Sequence, residues 1–437
     1  MSELNYETFG DADGSMDSLL STYRSQRTEA AWGLSVRVAA TARAIEELRP
    51  VWLQWAHSPD TDIDSYLHNL KTDSTILRPH VITVYEEGIP QAMLVGLVRK
   101  QKMSTVVSFV RLPGPSATVL AIPNAGKIGR QSSAIDRLLA LELLKTAELG
   151  DVDLVCFQRL PLQSELFREV RQLSGPLARL RVPQIFRYST LSLTAPAGKR
   201  PRVFSGKIAH EVRRKTRILQ QAFPGKVRFK CFCRPSEFDA GIRDAMMVAA
   251  TSWQNYLGCG VSNTSQSCDN LKLFANQGWL RIYVLYVKNV PSAYLIGQHR
   301  NHTFYCQHAG YHPDFARYSV GSLLTAWALE SMAAAGVEQV DLGEGDQEHN
   351  RHLGCELRYE GTVHVYSRTW RGFSLNIFFA ATQILRDCGR RVLLRLRLHW
   401  VIKRWRKLLF SRWRCQNPDL ELYNQLSQAN DAARQST

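Results

Sequence analysis

The chain lacks the long apolar run of a membrane-spanning helix: no uncharged apolar run reaches the roughly 18 residues that a span needs. The N-terminal MSELNYETFGDADG is acidic and polar, the opposite of a secretory signal, and a cytoplasmic location is expected. The nine cysteines are odd in number and scattered, mostly in apolar runs such as DLVCF. They read as free, buried thiols in a reducing compartment, not as a disulfide framework. The CxC in KCFC (230–233) has no His or Cys at zinc-site intervals around it. NAGKIGRQSS (124–133) is glycine-rich and basic but lacks the spacing of a nucleotide phosphate loop. The acidic stretch DLGEGDQEHN (341–350) lacks the ligand intervals and terminal bidentate Glu of a calcium loop. No metal is expected.

What is present is a globular composition, 45% apolar and 10% aromatic, over 437 residues, enough for about two to three domains. The net charge of +16 suggests an acidic partner, but the charge is unevenly placed. Residues 371–415 contain twelve Lys/Arg and one Asp, so they carry +11 of it, and the body is only mildly basic.

Two segments about 200 residues apart resemble each other: VITVYEEGIPQAMLVG, ending at Gly96, and IYVLYVKNVPSAYLIG, ending at Gly297. Each reads as a strand, a tight turn with Pro, and a second strand. Each is followed by more strand-like sequence, an apolar-periodic helix ending at a Gly, and another strand. This is the signature of a duplicated α/β unit. The boundaries expected are a polar tail over 1–35, a first copy over 36–195, a second over 200–370, a basic amphipathic helical segment over 371–415 and a polar tail over 416–437.

In the second copy the order strand, loop, helix, strand implies a parallel pair with a crossover helix, and ligands then sit beyond the carboxyl ends of the strands. Those ends are CQHAGY and VDLGEG. The connecting loop offers Ser319 as an N-cap and Gly321 in the first turn, where a ligand can come close. The first-turn N–H groups, with Val320 and Ser322, have no intrahelical partner and suit a pyrophosphate, to which Arg317 adds charge.

As an ordered set, Gly310-Tyr311, YSVGSLL (318–324) and DLGEG (341–345) resemble the acyl-CoA N-acyltransferase (GNAT) domain of FemAB-like, CelD/BcsL-type acetyltransferases. The upstream EVRRKTRIL and ATSWQNYLGCG resemble that family's basic helix and its Trp-bearing helix. The likeness covers about residues 200–368 and extends more weakly over the first copy. It implies tandem duplicated GNAT-like domains, each an α/β mixed sheet flanked by helices; the first copy lacks the Tyr-Ser-x-Gly helix start and is therefore expected to be non-catalytic and to wall the acceptor cleft. It also implies acyl transfer from acyl-CoA, acetyl-CoA foremost, to an amine or hydroxyl of a glycan, glycolipid or amino-sugar precursor. FemAB relatives proper use aminoacyl-tRNA, so that donor is an alternative, as is a non-catalytic scaffold of a polysaccharide assembly.

The chemistry implied assigns Ser319, Val320, Gly321, Ser322 and Arg317 to the donor, and a backbone N–H near Gln307 to Ala309 to the thioester carbonyl. His308, Asp341 and Asp346 are the candidate bases, and Tyr311 and Tyr318 the candidate acids. Trp253, Gly343, Glu344, His349, Asn350 and Arg351 would face the acceptor. Each has a plainer explanation: His308 as a rim histidine, Asp341 as a cap for its own loop, Trp253 and the tyrosines as packing residues. The family has an aromatic residue and a Lys after its Gly-x-Gly loop; here His349 and Asn350 stand there, followed by Arg351.

The tail RRVLLRLRLHWVIKRWRKLLF (390–410) places Leu394, Leu398, Val401, Trp405 and Leu408 on one helical face and Lys403, Arg406 and Lys407 opposite. Such a helix suits an anionic membrane surface, making the protein peripheral at the inner membrane face. Docking on the protein's own core and single-stranded nucleic acid are the alternatives.

Overall fold

The computed structural model describes residues 33–55, 58–107, 110–124, 126–173, 184–193, 203–204, 206–252, 261, 265–344, 350 and 353–395. In chain order the first half contains β1 (Leu34–Ala39), α1 (Ala42–Glu47), α2 (Arg49–Trp55), a 3-10 turn at Pro59–Thr61 and α3 (Ile63–Thr72). It continues with β2 (Ile76–Glu86), β3 (Ile89–Val107), β4 (Val110–Ile122), β5 (Lys127–Gly129), α4 (Ser133–Glu148), β6 (Leu154–Pro161), α5 (Glu165–Leu173) and β7 (Gln184–Ser192). The second half contains α6 (Gly206–Ala222), β8 (Val227–Phe232), α7 (Phe238–Thr251), α8 (Ser265–Asn276), β9 (Leu280–Val287), β10 (Val290–Arg300) and β11 (Thr303–Tyr311). A 3-10 turn at Pro313–Tyr318 leads into α9 (Val320–Ala334), β12 (Gln339–Gly343) and β13 (Glu356–Tyr366), and α10 (Trp370–Arg395) follows.

The repeated hairpins are β2–β3 and β9–β10. Their turns are Glu87-Gly88 and Lys288-Asn289, both pairs at positive φ. That is the two-residue turn whose twist matches paired strands. The prolines expected in these turns lie instead within the second strands, where Pro90 pairs with Tyr85 and Pro291 with Tyr286, each beside a register shift. Irregular pairing is where a strand tolerates a residue with no N–H. The shared glycines have a steric reason. A Cβ on Gly96 would lie 2.9 Å from the His80 carbonyl oxygen, and one on Gly297 2.4 Å from that of Tyr305.

All these strands form one sheet. Its order is β1-β2-β3-β4-β6-β13-β7-β12-β11-β10-β9-β8, with β5 on the side of β3. Read from either end, the sequence of equivalent strands is the same, which makes the duplication visible in space. The two parallel pairs, β4–β6 and β11–β12, are equivalents, and the other pairings are antiparallel. The final strands are exchanged. β7 leaves the first half to pair with β12, while β13 leaves the second half to pair with β6, and the two pair with each other at the centre.

Helices cover the sheet as their apolar faces require. α4 lays Ile135, Leu139 and Leu143 on the first half, and α9 lays Leu323, Leu324 and Leu329 on the second. Both helices are followed by a glycine at positive φ, Gly150 and Gly336, the left-handed termination read from the sequence. In the first half, Lys127 of the glycine-rich stretch forms a buried ion pair with Asp136, and Arg130 pairs with Glu86. These two cations are engaged by the protein itself.

α10 is the described part of the basic segment. Its inner face, Leu375 and Phe379 with Phe378 beside them, packs on Met103, Val119, Leu154 and Tyr366. Docking on the protein therefore holds for this face. The outer face leaves Trp370, Phe373, Ile377, Ile384, Leu385 and Val392 exposed. The stripe expected over 394–408 lies outside the described side chains. No described helix is long and apolar enough to cross a membrane.

Candidate active site

The site is built where β11 parts from β12. The two strands pair only over Thr303 to Tyr305, opposite Gln339 to Asp341, although β11 runs on to Tyr311. At that point β11 also carries an extra residue: Ile296 pairs with His308 and Gly297 with Cys306, so Gln307 has no partner in β10. Such a bulge breaks the alternation of side chains along a strand. This is how the neighbours Gln307 and His308 both come to line one cavity. Ala309 follows, exposed, on the strand edge that β12 has left.

Beyond β11 the chain turns through Pro313–Tyr318 into α9. Ser319 is the residue before the helix, but it differs from the expected N-cap. It sits at φ 55°, in the left-handed region, and its hydroxyl makes no capping bond. The first intrahelical bond runs from the Leu323 N–H to the Ser319 carbonyl, so the N–H groups of Val320, Gly321 and Ser322 point out of the helix start. Val320 is fully buried in the core and has only its N–H to offer. A Cβ on Gly321 would lie 3.0 Å from the Tyr311 ring, so glycine keeps this approach open. Tyr318 packs edge-on against Phe223 at 5.1 Å, with the exposed Arg317 guanidinium 4.7 Å above its ring. Both tyrosines thus have packing roles, and Tyr311 is the one against the helix start.

The other end of the splay is charged and crosses between halves. Arg159, at φ 52° in β6, donates from Nη2 to Asp341 Oδ2 at 3.0 Å and from Nε to Glu360 Oε2 at 2.8 Å, and its guanidinium lies 3.7 Å over the Tyr188 ring. Burial works against the Arg159 charge, but the two carboxylates outweigh it and its pKa is raised. The second oxygen of Asp341 accepts the Gly343 N–H at 2.8 Å, so both are engaged. Burial raises the Glu344 carboxyl, with Arg159 pulling the other way, and pushes the Tyr188 hydroxyl up to about 12.

Between the halves lies a cavity of about 370 Å³. Asp60, Tyr66, Asn69 and Arg99 line it from the first half, and Asn270, Phe274, Gln307 and His308 from the second. The turn bearing Asp60 is fastened to the second half at both ends. Arg300 pairs with Asp62 at 3.2 Å and donates to the Ser58 carbonyl at 3.3 Å. Sequence reading found the β11 and α9 residues but not Asp60, Arg159, Tyr188, Glu360 or the Arg300–Asp62 pair. The signal was faint: a Ser-Pro-Asp turn before a helix for Asp60, and a charge inside a buried strand for Arg159.

Of the other expected residues, Asn350 is buried, its carbonyl accepting from Leu353 and Cys355 and its Nδ2 without a partner among the described residues. Trp253, Asp346, His349 and Arg351 lie outside the described residues.

A tandem sheet whose second copy splays a parallel pair in front of a glycine-bearing helix start defines a GNAT-type α/β fold. In agreement, residues 206–351, about a third of the chain, match the family model of the acetyltransferase (GNAT) domain, so the chain carries such a domain. No curated protein sequence gives a significant match. Among solved structures the chain is similar to FemX, at 8% identity and a TM-score of 0.48, over 74% of this chain and 96% of that one. It is also similar to the tandem GNAT protein from the clavulanic acid biosynthesis pathway, at 12% identity and a TM-score of 0.43, over 76% and 98%. L-PGS from Bacillus licheniformis is similar at 13% identity and a TM-score of 0.42, over 77% and 96%.

Proposed function

We propose that the protein transfers an acyl group from acyl-CoA to an amine or hydroxyl of a glycan or cell-envelope precursor, in the manner of CelD/BcsL-type acetyltransferases. The observation that carries this is the splay of β11 from β12 in front of the open first turn of α9. There the N–H groups of Val320, Gly321 and Ser322 would hold a pyrophosphate, with the Ser319 hydroxyl and Arg317 beside them. The edge of β11 from Gln307 to Ala309 supplies N–H groups that strengthen as charge develops on the thioester oxygen. Acyl-CoA supplies the electrophilic carbonyl. Asp341, tied to Arg159 and Gly343, holds the strand ends in place and leaves proton transfer to a neighbour.

The outer face of α10 sets exposed Trp370, Phe373 and Ile377 beside Arg371, and Ile384, Leu385 and Val392 beside Arg386, Arg391 and Arg395. This supports a peripheral attachment to an anionic membrane, where such precursors are assembled.

Isothermal calorimetry with acetyl-CoA tests the donor site. Saturable binding is expected for the wild type and its loss for Gly321→Glu, which puts bulk on the Tyr311 ring and negative charge where pyrophosphate would lie. Absence of binding to the wild type would sink the reading.

A further inference from the structure

The cavity between the halves has a composition of its own. Asp60 is its only carboxylate among the described residues, and Arg99, its only Lys or Arg, is paired with Asp73 at 3.4 Å. Asn69, Asn270 and Gln307 bring amide groups that both donate and accept, and the half-buried Phe274 ring offers an apolar face. Amides and an aromatic face around one carboxylate match a hydroxylated ring carrying an amine. Gln307 and His308 reach this space from the same bulge whose far edge parts from β12, so the cavity opens beside the proposed thioester position.

We propose that this cavity is the acceptor site, that its ligand is an amino sugar, and that Asp60, a residue of the first half, takes the proton of the attacking amine. This rests on the acyl-transfer reading above. The amine nitrogen bonds to the thioester carbonyl carbon and the carbon–sulfur bond breaks. The proton lost from nitrogen passes to the Asp60 carboxylate and on to solvent, and the departing thiolate takes a proton from solvent to leave as free CoA.

Three features fit Asp60 for this. Its turn is pinned by Arg300 at Ser58 and Asp62, and by the Trp52 indole N–H donating to the Thr61 carbonyl at 2.7 Å, so the backbone that carries the carboxylate is fixed. It keeps solvent contact while lining the cavity, so a ligand reaches it. Surrounding protein raises its pKa, opposed by Arg159 and a hydrogen bond with Asn124 and reinforced by Asp341. A base with a raised pKa works nearer neutral pH. Tyr66, Arg99, His308 and Tyr305 are the other titratable groups around the cavity and its rim. The first half is then part of the active site, not only its wall.

The test uses the full chain, acetyl-CoA as donor and glucosamine as probe. Calorimetry without acetyl-CoA should show glucosamine binding that Asn270→Trp abolishes by filling the cavity, with acetyl-CoA binding retained. Asp60→Asn should keep acetyl-CoA binding but lower kcat by about 10²- to 10⁴-fold and remove the acid limb of the pH–rate profile, with Asp60→Glu restoring part of both. Glucosamine failing to bind, or Asp60→Asn keeping the wild-type rate and acid limb, overturns the proposal while the donor site stands. If acetyl-CoA fails to bind yet glucosamine is held and Asn270→Trp expels it, the acyl-transfer reading and the proton role fall and the sugar site is upheld.

Discussion

At the scale of single residues, Arg159 does the most to join the two copies. It neutralises Asp341 and Glu360, whose side chains are only 12% and 8% exposed. Taking away one member of such a set strands the others without water or a partner. Arg159→Met should therefore cost about 3 kcal/mol in urea unfolding, and adding Asp341→Asn and Glu360→Gln should recover part of it. An unchanged midpoint would show that water reaches these carboxylates. The sequence could not have shown this set, because its members lie some 180 to 200 positions apart and meet only through the exchanged strand. The helix-start residues, by contrast, are contiguous, and Gly321 and Ser319 could be picked out by local rules alone. Even there the geometry differed, since Ser319 takes a left-handed backbone and leaves its hydroxyl unused as a cap.

At the scale of elements, α10 covers a buried histidine of β13. Beneath it His364 lies against Phe379 at 5.4 Å, and burial lowers its pKa to about 4. His80, buried near Arg78 and Asp151, is likewise lowered to about 4. For a histidine lowered on folding, the unfolded chain binds the proton first. Stability is then complete above the ordinary value near 6.5 and falls as pH drops towards 4. His364→Leu should flatten this loss by roughly 2–3 kcal/mol between pH 7 and 4, read from urea midpoints, with the His80 share remaining. An unaltered pH dependence would count against the buried neutral imidazole. The outer face of α10 has a separate test. Phe373→Glu with Ile377→Glu should abolish flotation with phosphatidylglycerol vesicles and leave the melting temperature nearly unchanged, because both residues are exposed. Equal flotation would remove the membrane reading for this helix. The helical stripe read from the sequence, over 394–408, lies outside the described side chains, and nothing in the sequence of Trp370–Arg395 says that one face docks inward while another stays bare.

At the scale of the molecule, the duplication was legible because two hairpins keep the same pattern of apolar residues, Pro and Gly. What the pattern could not reveal was that each copy finishes in the other's sheet. Strand exchange is set by pairing across the whole chain, and β7 and β13 have no local mark of it. Its thermodynamic effect is that neither half has a complete sheet alone. Calorimetry of the full chain should give one transition, with calorimetric and van't Hoff enthalpies equal. Residues 33–193 and 203–395 expressed separately should be insoluble or unfolded, and their co-expression should restore a folded complex. Two separable transitions would mean that each copy is stable without the other's last strand.

The exchange also bears on how the chain is made. β6 waits for a neighbour that is synthesised roughly 200 residues later, since Leu154 pairs with Tyr366. At a ribosomal pace of about 5–20 residues per second, that edge stays open for about 10–40 seconds. During that interval the nascent chain carries a strand paired only on its β4 side, an open edge that other β-rich chains capture.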